Sequence, residues 1–248
     1  TTSSTAFRSL TPSPTALIVS SAVEDSIPDV RVAKSRGVPI KKRAEVLAEM
    51  FNAAKISIAI GGTSGKSTVT AMTGWILAQA GKNPTVINGA LMTNFGGSNA
   101  VAGSGPFVAE VDESDGSIAL FNPSVAVLTN VSLDHKSMDE LRSLFGGYIA
   151  RAKTAVINLD DGESALLRGR GALSFSLHNP DADFFAREIK PLRDGVSFSV
   201  KGIPVRLRVP GRHNVANALA AITAAAAAGI SPAQAAEALS AYKGIKRR

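Results

Sequence analysis

Cysteine is absent from the 248 residues, which excludes disulfides and thiolate metal sites. Two tyrosines and one tryptophan leave little with which to stack nucleic-acid bases. No early apolar run could cross a bilayer: the longest, ALIVSSAV (16–23), falls far short of the ~20 residues a helical span needs. The residues before it lack the basic-then-apolar layout of a secretory leader, and no internal repeat is visible. These absences lead us to expect a cytoplasmic protein with neither a membrane nor a nucleic acid as partner. The net charge of +7 does not alter that reading, because the basic residues are dispersed apart from KKR (41–43) and KGIKRR (243–248). Small anionic substrates such as nucleotides account for the charge equally well. What is present is a globular composition, 45% hydrophobic and 19% charged, sufficient for a sizeable core.

Strand-like and helix-like stretches alternate along the chain. TALIVSSAV (15–23) reads as a buried strand, PDVRVAKSRGVPI (28–40) as a short helix leading into a strand or turn, and KRAEVLAEMFNAA (42–54) as a helix with apolar residues at helical spacing. KISIAI (55–60), rich in β-branched residues, feeds a glycine loop, and STVTAMTGWILAQAG (67–81) continues as a helix closed by Gly81. Two further strands, in PFVAEVDESDGS (106–117) and SVAVLTNVSLDH (124–135), end in polar clusters, and a helix over 137–153 precedes the strand TAVINLDD (154–161). This alternation predicts an α/β fold with a mainly parallel sheet covered on both faces. Residues 172–210 change character: GALSFSL, VSFSV and PVRLRV suggest antiparallel structure at the sheet's edge. From Asn214 to Tyr242 the chain is Ala-rich helix, broken at GISP (229–232), where Ser231-Pro232 suits a new helix start.

Four clusters carry chemistry. In IGGTSGKST (60–68) the backbone N–H groups of Gly62, Thr63, Ser64, Gly65, Lys66, Ser67 and Thr68 can surround polyphosphate oxygens at a helix N-terminus. Lys66 is suited to the terminal phosphates and Ser67 to Mg²⁺. In AEVDESD, Glu110, Asp112, Glu113 and Asp115 crowd together, either as a cation site or as a solvated acidic loop; the strand period puts Glu110 and Asp112 on one face. TNVSLDH brings Asn130 and His135 to a strand end, a ligand-facing position in open α/β sheets, although an isolated histidine there is as often structural. In VPGRHNVANALAAI, His213, Asn214 and Asn217 stand at a helix start, where Asn214 is either a cap or, with Asn217, a reader of adenine's donor–acceptor edge. No strand ends in the N-K-x-D of GTPases.

Taken in order, these clusters resemble the Mur ligase family of ATP-dependent, amide-forming enzymes of bacterial cell-wall synthesis. That family's loop is G-T-x-G-K-[ST]-T after a β-branched residue, here Ile60, where other phosphate loops carry glycine. AEVDESDGS resembles its acidic motif, TNVSLDH its Asn…Asp-His motif, GRHNVANALAA its adenine motif, and GIKRR (244–248) the arginine pair that opens a hinge to a third domain. DESDGS and GRHN are most similar to the branch that adds L-alanine to UDP-N-acetylmuramate, or to its tripeptide-recycling relative. Phe145, where other branches carry a modified lysine, agrees with this; Ser64 and Ser137, where His and Asp are usual, depart from it. The resemblance implies ATP held by the loop and Lys66, with Mg²⁺ on Ser67 and Glu110 and a second ion aided by His135. It further implies adenine facing Asn214 and Asn217, and Arg248 approaching the phosphates. The substrates implied are a UDP-N-acetylmuramate-type nucleotide sugar and an amino acid or peptide. A nucleotide-binding module without catalysis would have no need of Lys66, Glu110 and His135 together. On this reading residues 1–46 are the C-terminal part of a Rossmann-like UDP-substrate domain, 47–245 the central P-loop domain and 246–248 the start of the hinge. A chain lacking the third domain and the uridine-binding start of the first is expected to be inactive alone.

Overall fold

The computed structural model describes residues 14–20, 22–133 and 136–246. The chain divides into two compact units, Thr1–Ala53 and Ala54–Arg248.

In the first unit, β1 (Leu17–Val19) pairs in parallel with β2 (Ile40–Lys42), and α1 (Pro28–Ser35) forms the crossover. Pro28 opens α1, where a helix needs no N–H. A small cluster unites Val32 and Ala33 of α1 with Leu17, Val38 and Ile40, and α2 (Arg43–Asn52) follows β2 directly. The apolar run at 15–23 reads as a buried strand, yet Ile18 is 53% exposed. The pleat turns Ile18 away from its neighbours in β1, and a sheet of two three-residue strands has little to cover that face.

The second unit is built on an 11-stranded sheet ordered β12 (Ile203–Leu207), β11 (Gly195–Val200), β10 (Phe184–Leu192), β9 (Leu173–Ser176), β8 (Thr154–Asn158), β7 (Val125–Leu128), β3 (Ser57–Gly61), β6 (Phe107–Glu110), β4 (Thr85–Met92) and β13 (Ile245–Lys246), with β5 (Ser98–Val101) also paired to β4. Its centre is parallel: β3 lies between β6 and β7, and β4 and β8 flank these. Every residue of β3 and of β7 is buried, as expected of parallel strands covered on both faces. Helix α3 (Lys66–Gln79) follows β3. From it the chain runs out to β4, returns to β6 and then crosses to β7 on the other side of β3. The order reverses at β3, which opens a crevice at the C-terminal ends of β3, β6 and β7.

Helices α4 (Met138–Ala150) and α5 (Gly162–Leu166) follow β7 and β8. Ser137, noted above as a departure, caps α4: its hydroxyl accepts the Glu140 N–H, and Glu140 accepts the Ser137 N–H in return. That backbone N–H and the Ser137 hydroxyl hold the Glu140 carboxyl below its ordinary range. Phe145 is fully buried in α4. Tyr148 of α4 is buried too, and its hydroxyl donates to the Ala59 carbonyl at 2.7 Å, tying α4 to β3. Burial pushes that phenol well above its ordinary range, so it remains a neutral donor.

Two findings differ from the sequence reading. β9 (Leu173–Ser176), within GALSFSL, is parallel to both β8 and β10 (Phe184–Leu192); antiparallel pairing on this side begins only with β11 (Gly195–Val200) and β12 (Ile203–Leu207). Alternation of side chains fixes which face they occupy but not the direction of the strand. The opposite edge is also antiparallel, through β5 (Ser98–Val101) and β13 (Ile245–Lys246) against β4, in a stretch whose sequence offers weaker signals. Among the described residues, no helix is long and apolar enough to cross a membrane.

The alanine-rich segment forms α6 (Arg212–Ala227) and α7 (Pro232–Ser240), separated at Gly229 and capped anew by Ser231. Ala218, Ala220, Ala221, Ala224 and Ala225 are at most 1% exposed and pack into the same core as α3 and the sheet. Small side chains let these layers approach closely, and Gly74 of α3 shows the limit. A Cβ there would lie 2.7 Å from Cγ2 of the fully buried Val86. Alanine gains roughly 1 kcal/mol of helix propensity over glycine, but overpacking a stiff β-branched neighbour costs about 1–3 kcal/mol. Gly74→Ala is therefore expected to lower stability in urea denaturation; a higher midpoint would show that the contact yields.

Candidate active site

The glycine loop is fixed from outside by the residues that follow β7. The Thr63 N–H donates to the Asn130 carbonyl at 3.0 Å and the Ser64 N–H to Asn130 Oδ1 at 3.0 Å. Asn130 Nδ2 returns a bond to the Ser64 carbonyl at 3.0 Å, and Thr129 Oγ1 donates to that same carbonyl at 2.7 Å. Gly62 makes the close approach feasible, since a Cβ on it would lie 2.2 Å from Thr129 Oγ1, and its φ of 126° suits glycine alone. This loop crosses from β3 into α3, and Gly65, with φ 85°, is the residue before the first helical turn.

The clamp changes which amides can meet a phosphate. Those of Thr63 and Ser64 are already engaged by Asn130. The amides at the start of α3, Gly65 through Thr68, are the ones a helix leaves without an intrahelical partner, and there the helix dipole favours an anion. Asn130 thus shapes the loop, and it also lines the pocket described below.

Lys66 is enclosed. Its Nζ lies 2.9 Å from Glu113 Oε2, with the two side chains only 14% and 8% exposed. The sequence points Lys66 at the terminal phosphates and shows Glu113 only as one of four crowded acids, not as its partner. The acidic stretch divides instead of acting together. β6 ends at Glu110, and Asp112, two residues beyond, has a different partner. Asp112 and Asp115 are turned outward, accepting the N–H groups of Ser114 and Ser117. Glu110 points back to β4, where the Gly89 N–H donates to its Oε2 at 2.8 Å. A Cβ on Gly89 would come within 2.8 Å of that oxygen. The adjoining Asn88, buried, donates from Nδ2 to the Ser67 carbonyl at 3.0 Å. Asn88 and Gly89 thereby hold the two residues expected to bind Mg²⁺, at a register irregularity of β4 between Ile87 and Met92. The Asn-Gly pair inside a β-branched run was the available signal for it. One fixed carboxylate and a helix-start serine suit Mg²⁺, which takes few protein oxygens and completes its shell with phosphate and water. Among the described residues no three His, Asp or Glu side chains gather as a metal cluster.

Beside the loop is a pocket of about 230 Å³, lined by Asn130, Asn158, Phe175, His213, Ala216 and Asn217 among others. Phe175 and Ala220 give it an apolar wall, and Asn217 Oδ1 would lie 2.7 Å from a Cβ on Gly65, so Asn217 spans pocket and loop. His213 is exposed at the rim. Asn214 is not among the lining residues: its Nδ2 donates to the Pro210 carbonyl, and its Oδ1 accepts from Asn217 at 3.4 Å. Asn158, unnoticed in the sequence, donates to the Thr129 carbonyl and supports the clamp from β8. The sites predicted at His135 and Arg248 lie outside the described residues.

The sequence profile of the Mur ligase middle domain matches residues 60–225. The chain belongs to the Mur ligase family. Among its relatives is the UDP-N-acetylmuramate–L-alanine ligase of Syntrophotalea carbinolica, 38% identical over 248 aligned residues that cover 94% of this chain and 54% of the relative. The ligase of the same name from Gloeobacter violaceus is 37% identical, with 94% and 53% covered. The chain thus spans about half the length of these curated Mur ligases. Of solved structures, the UDP-N-acetylmuramate–alanine ligase of Thermotoga maritima superposes with a TM-score of 0.84 at 30% identity, over 95% of this chain and 56% of that one. The UDP-N-acetylmuramate:L-alanyl-γ-D-glutamyl-meso-diaminopimelate ligase of Neisseria meningitides gives a TM-score of 0.80 at 25% identity, over 94% and 80%. The Mur ligase α/β fold, with its mainly parallel sheet and antiparallel strands, is therefore the one found here.

Removing Lys66 from its enclosed pair leaves the Glu113 carboxylate uncompensated. Lys66→Ala is expected to cost about 3 kcal/mol of stability, and Lys66→Ala/Glu113→Gln to recover most of it, as read from urea denaturation. Equal stability of Lys66→Ala and wild type would show that the pair is solvated in solution.

Proposed function

We propose that this chain serves an ATP-dependent ligase of peptidoglycan precursor synthesis that joins L-alanine to UDP-N-acetylmuramate. The observation that supports it most is the convergence, at the reversal point of the sheet, of a clamped glycine loop, Lys66, Glu110 and a pocket faced by Asn217. The names of the relatives at 37–38% identity supply the substrate assignment.

In this reading the triphosphate lies along the first turn of α3, with Lys66 meeting its terminal oxygens and the base seated between Phe175 and Asn217. Ser67 and Glu110, with His135 for a second ion, would hold Mg²⁺, which when bound would supply neutralisation of phosphate charge. A carboxylate oxygen of the sugar substrate attacks the γ-phosphorus and ADP leaves. The neutral amine then displaces phosphate from the acyl carbon to form the amide, its surplus proton passing to the departing phosphate or to water. Little of this asks for proton transfer by protein side chains; positioning and charge neutralisation carry it. Arg248 would approach the phosphates from the hinge. Residues 1–46 would belong to the domain that holds the nucleotide sugar, and the protein would work in the cytoplasm. A second reading, a recycling ligase that attaches a peptide, draws on the TM-score of 0.80 to the Neisseria enzyme.

The 248 residues alone are expected to bind Mg-ATP without forming amide, because holding an amine beside an acyl phosphate is worth roughly 7–11 kcal/mol of barrier and half of each relative lies outside the matched span. Calorimetry should show Mg-ATP preferred over Mg-GTP, with Asn217→Leu losing the preference and Glu110→Ala weakening Mg-ATP far more than Asp112→Ala. Absence of Mg-ATP binding refutes the reading. Incubation with UDP-N-acetylmuramate and labelled alanine or tripeptide tests ligation, and product formed at ordinary enzyme rates would refute the inactivity of these residues alone.

A further inference from the structure

Lys66 is the cation expected to meet the terminal phosphates, yet in this structure its charge is already matched. Glu113 Oε2 stands 2.9 Å from Nζ, and both side chains are largely withdrawn from water, so solvent screens the pair weakly. Glu110 adds a second carboxylate at the neighbouring strand end, held by the Gly89 N–H. Among Lys66, Glu113 and Glu110 the balance is therefore negative. A phosphate loop that received the bare ATP tetra-anion on its lysine alone would need the opposite balance.

We propose that Glu113 is a specificity-determining residue that makes this loop accept ATP only with its divalent cation. This role for Glu113 rests on the Mg-ATP reading given above. If Lys66 keeps its bond to Glu113 while touching the γ-phosphate, its charge is shared between two anions. If Lys66 leaves Glu113, an enclosed carboxylate loses its partner beside the incoming phosphates. Either way the free tetra-anion is opposed, and a nucleotide carrying Mg²⁺ brings the missing positive charge. Asp112 carries the same charge one residue away but is turned into solvent, bonded to the Ser114 N–H, and so has no such influence.

The test is calorimetric titration of the 248-residue chain with ATP in excess Mg²⁺ and in excess EDTA, for wild type, Glu113→Gln and Asp112→Asn. In Glu113→Gln the glutamine can still accept the Lys66 bond, and metal-free ATP is expected to tighten about tenfold or more, while Mg-ATP shifts by less than about threefold. The ratio of the two dissociation constants thus falls in Glu113→Gln and stays at the wild-type value in Asp112→Asn. An unchanged ratio in Glu113→Gln overturns the proposal, as does an equal fall in Asp112→Asn. Should Glu113→Gln fail to fold, Lys66→Gln/Glu113→Gln, which leaves no uncompensated charge, is compared with Lys66→Gln. The double variant is expected to show the ratio lower by about tenfold, and equal ratios overturn the proposal. A wild-type chain that binds neither form overturns the Mg-ATP reading itself, a result distinct from a ratio that fails to move.

Discussion

The contact of Gly62 with Thr129 and Asn130 is the constraint on which the rest of the site depends. A phosphate loop must hold a left-handed, otherwise disfavoured backbone path while leaving the helix start bare. Here that path is imposed by the end of the adjacent strand: Thr129 occupies the space where a Cβ of residue 62 would be, and the Asn130 amide closes on both backbone polar groups of Ser64. The support extends outward, because Asn158 of β8 holds the Thr129 carbonyl and Asp161 holds the Val131 N–H. Parallel pairing of β3, β7 and β8 brings these side chains to one edge. The loop is thus a product of the sheet as much as of its own glycines.

A second layer of order concerns charge. On the opposite side of β3, the end of β6 supplies Glu110 and the turn beyond it supplies Glu113, and the two have different partners. Glu110 is oriented by a backbone N–H, and among the described residues no ion pair matches its charge, which leaves it available to a cation. Glu113 is matched to Lys66. Two carboxylates three residues apart have separate partners: β6 ends at Glu110, and the bend that follows begins at Glu113.

Much of this was legible in the sequence. The order of strand, glycine loop and helix follows from β-branched residues before Gly61 and helical spacing after Lys66, and the Mur ligase motifs are contiguous enough to be recognised in order. Elements defined by what they pack against were less legible. Alternation in GALSFSL gives faces and not direction, so β9 was expected to be antiparallel. The acidic stretch shows four similar residues, and only the end of β6 distinguishes them. Asn88, Gly89 and Asn158 each hydrogen-bond a residue 21 to 29 positions away, a relation that local sequence does not carry. Glu113, at 47 positions from Lys66, was visible as an acid but not as a partner.

The clamp sets the loop before any nucleotide arrives, and amide hydrogen exchange in the nucleotide-free chain is the measurement that reads this. Slow exchange is expected at the Thr63 and Ser64 N–H groups without ATP, with Asn130→Ala releasing Ser64 and leaving Thr63, whose acceptor is the backbone carbonyl of residue 130, still protected. Rapid exchange at both amides in the unliganded wild-type chain, slowing only when Mg-ATP is added, would contradict it and make the nucleotide the organiser of its own site.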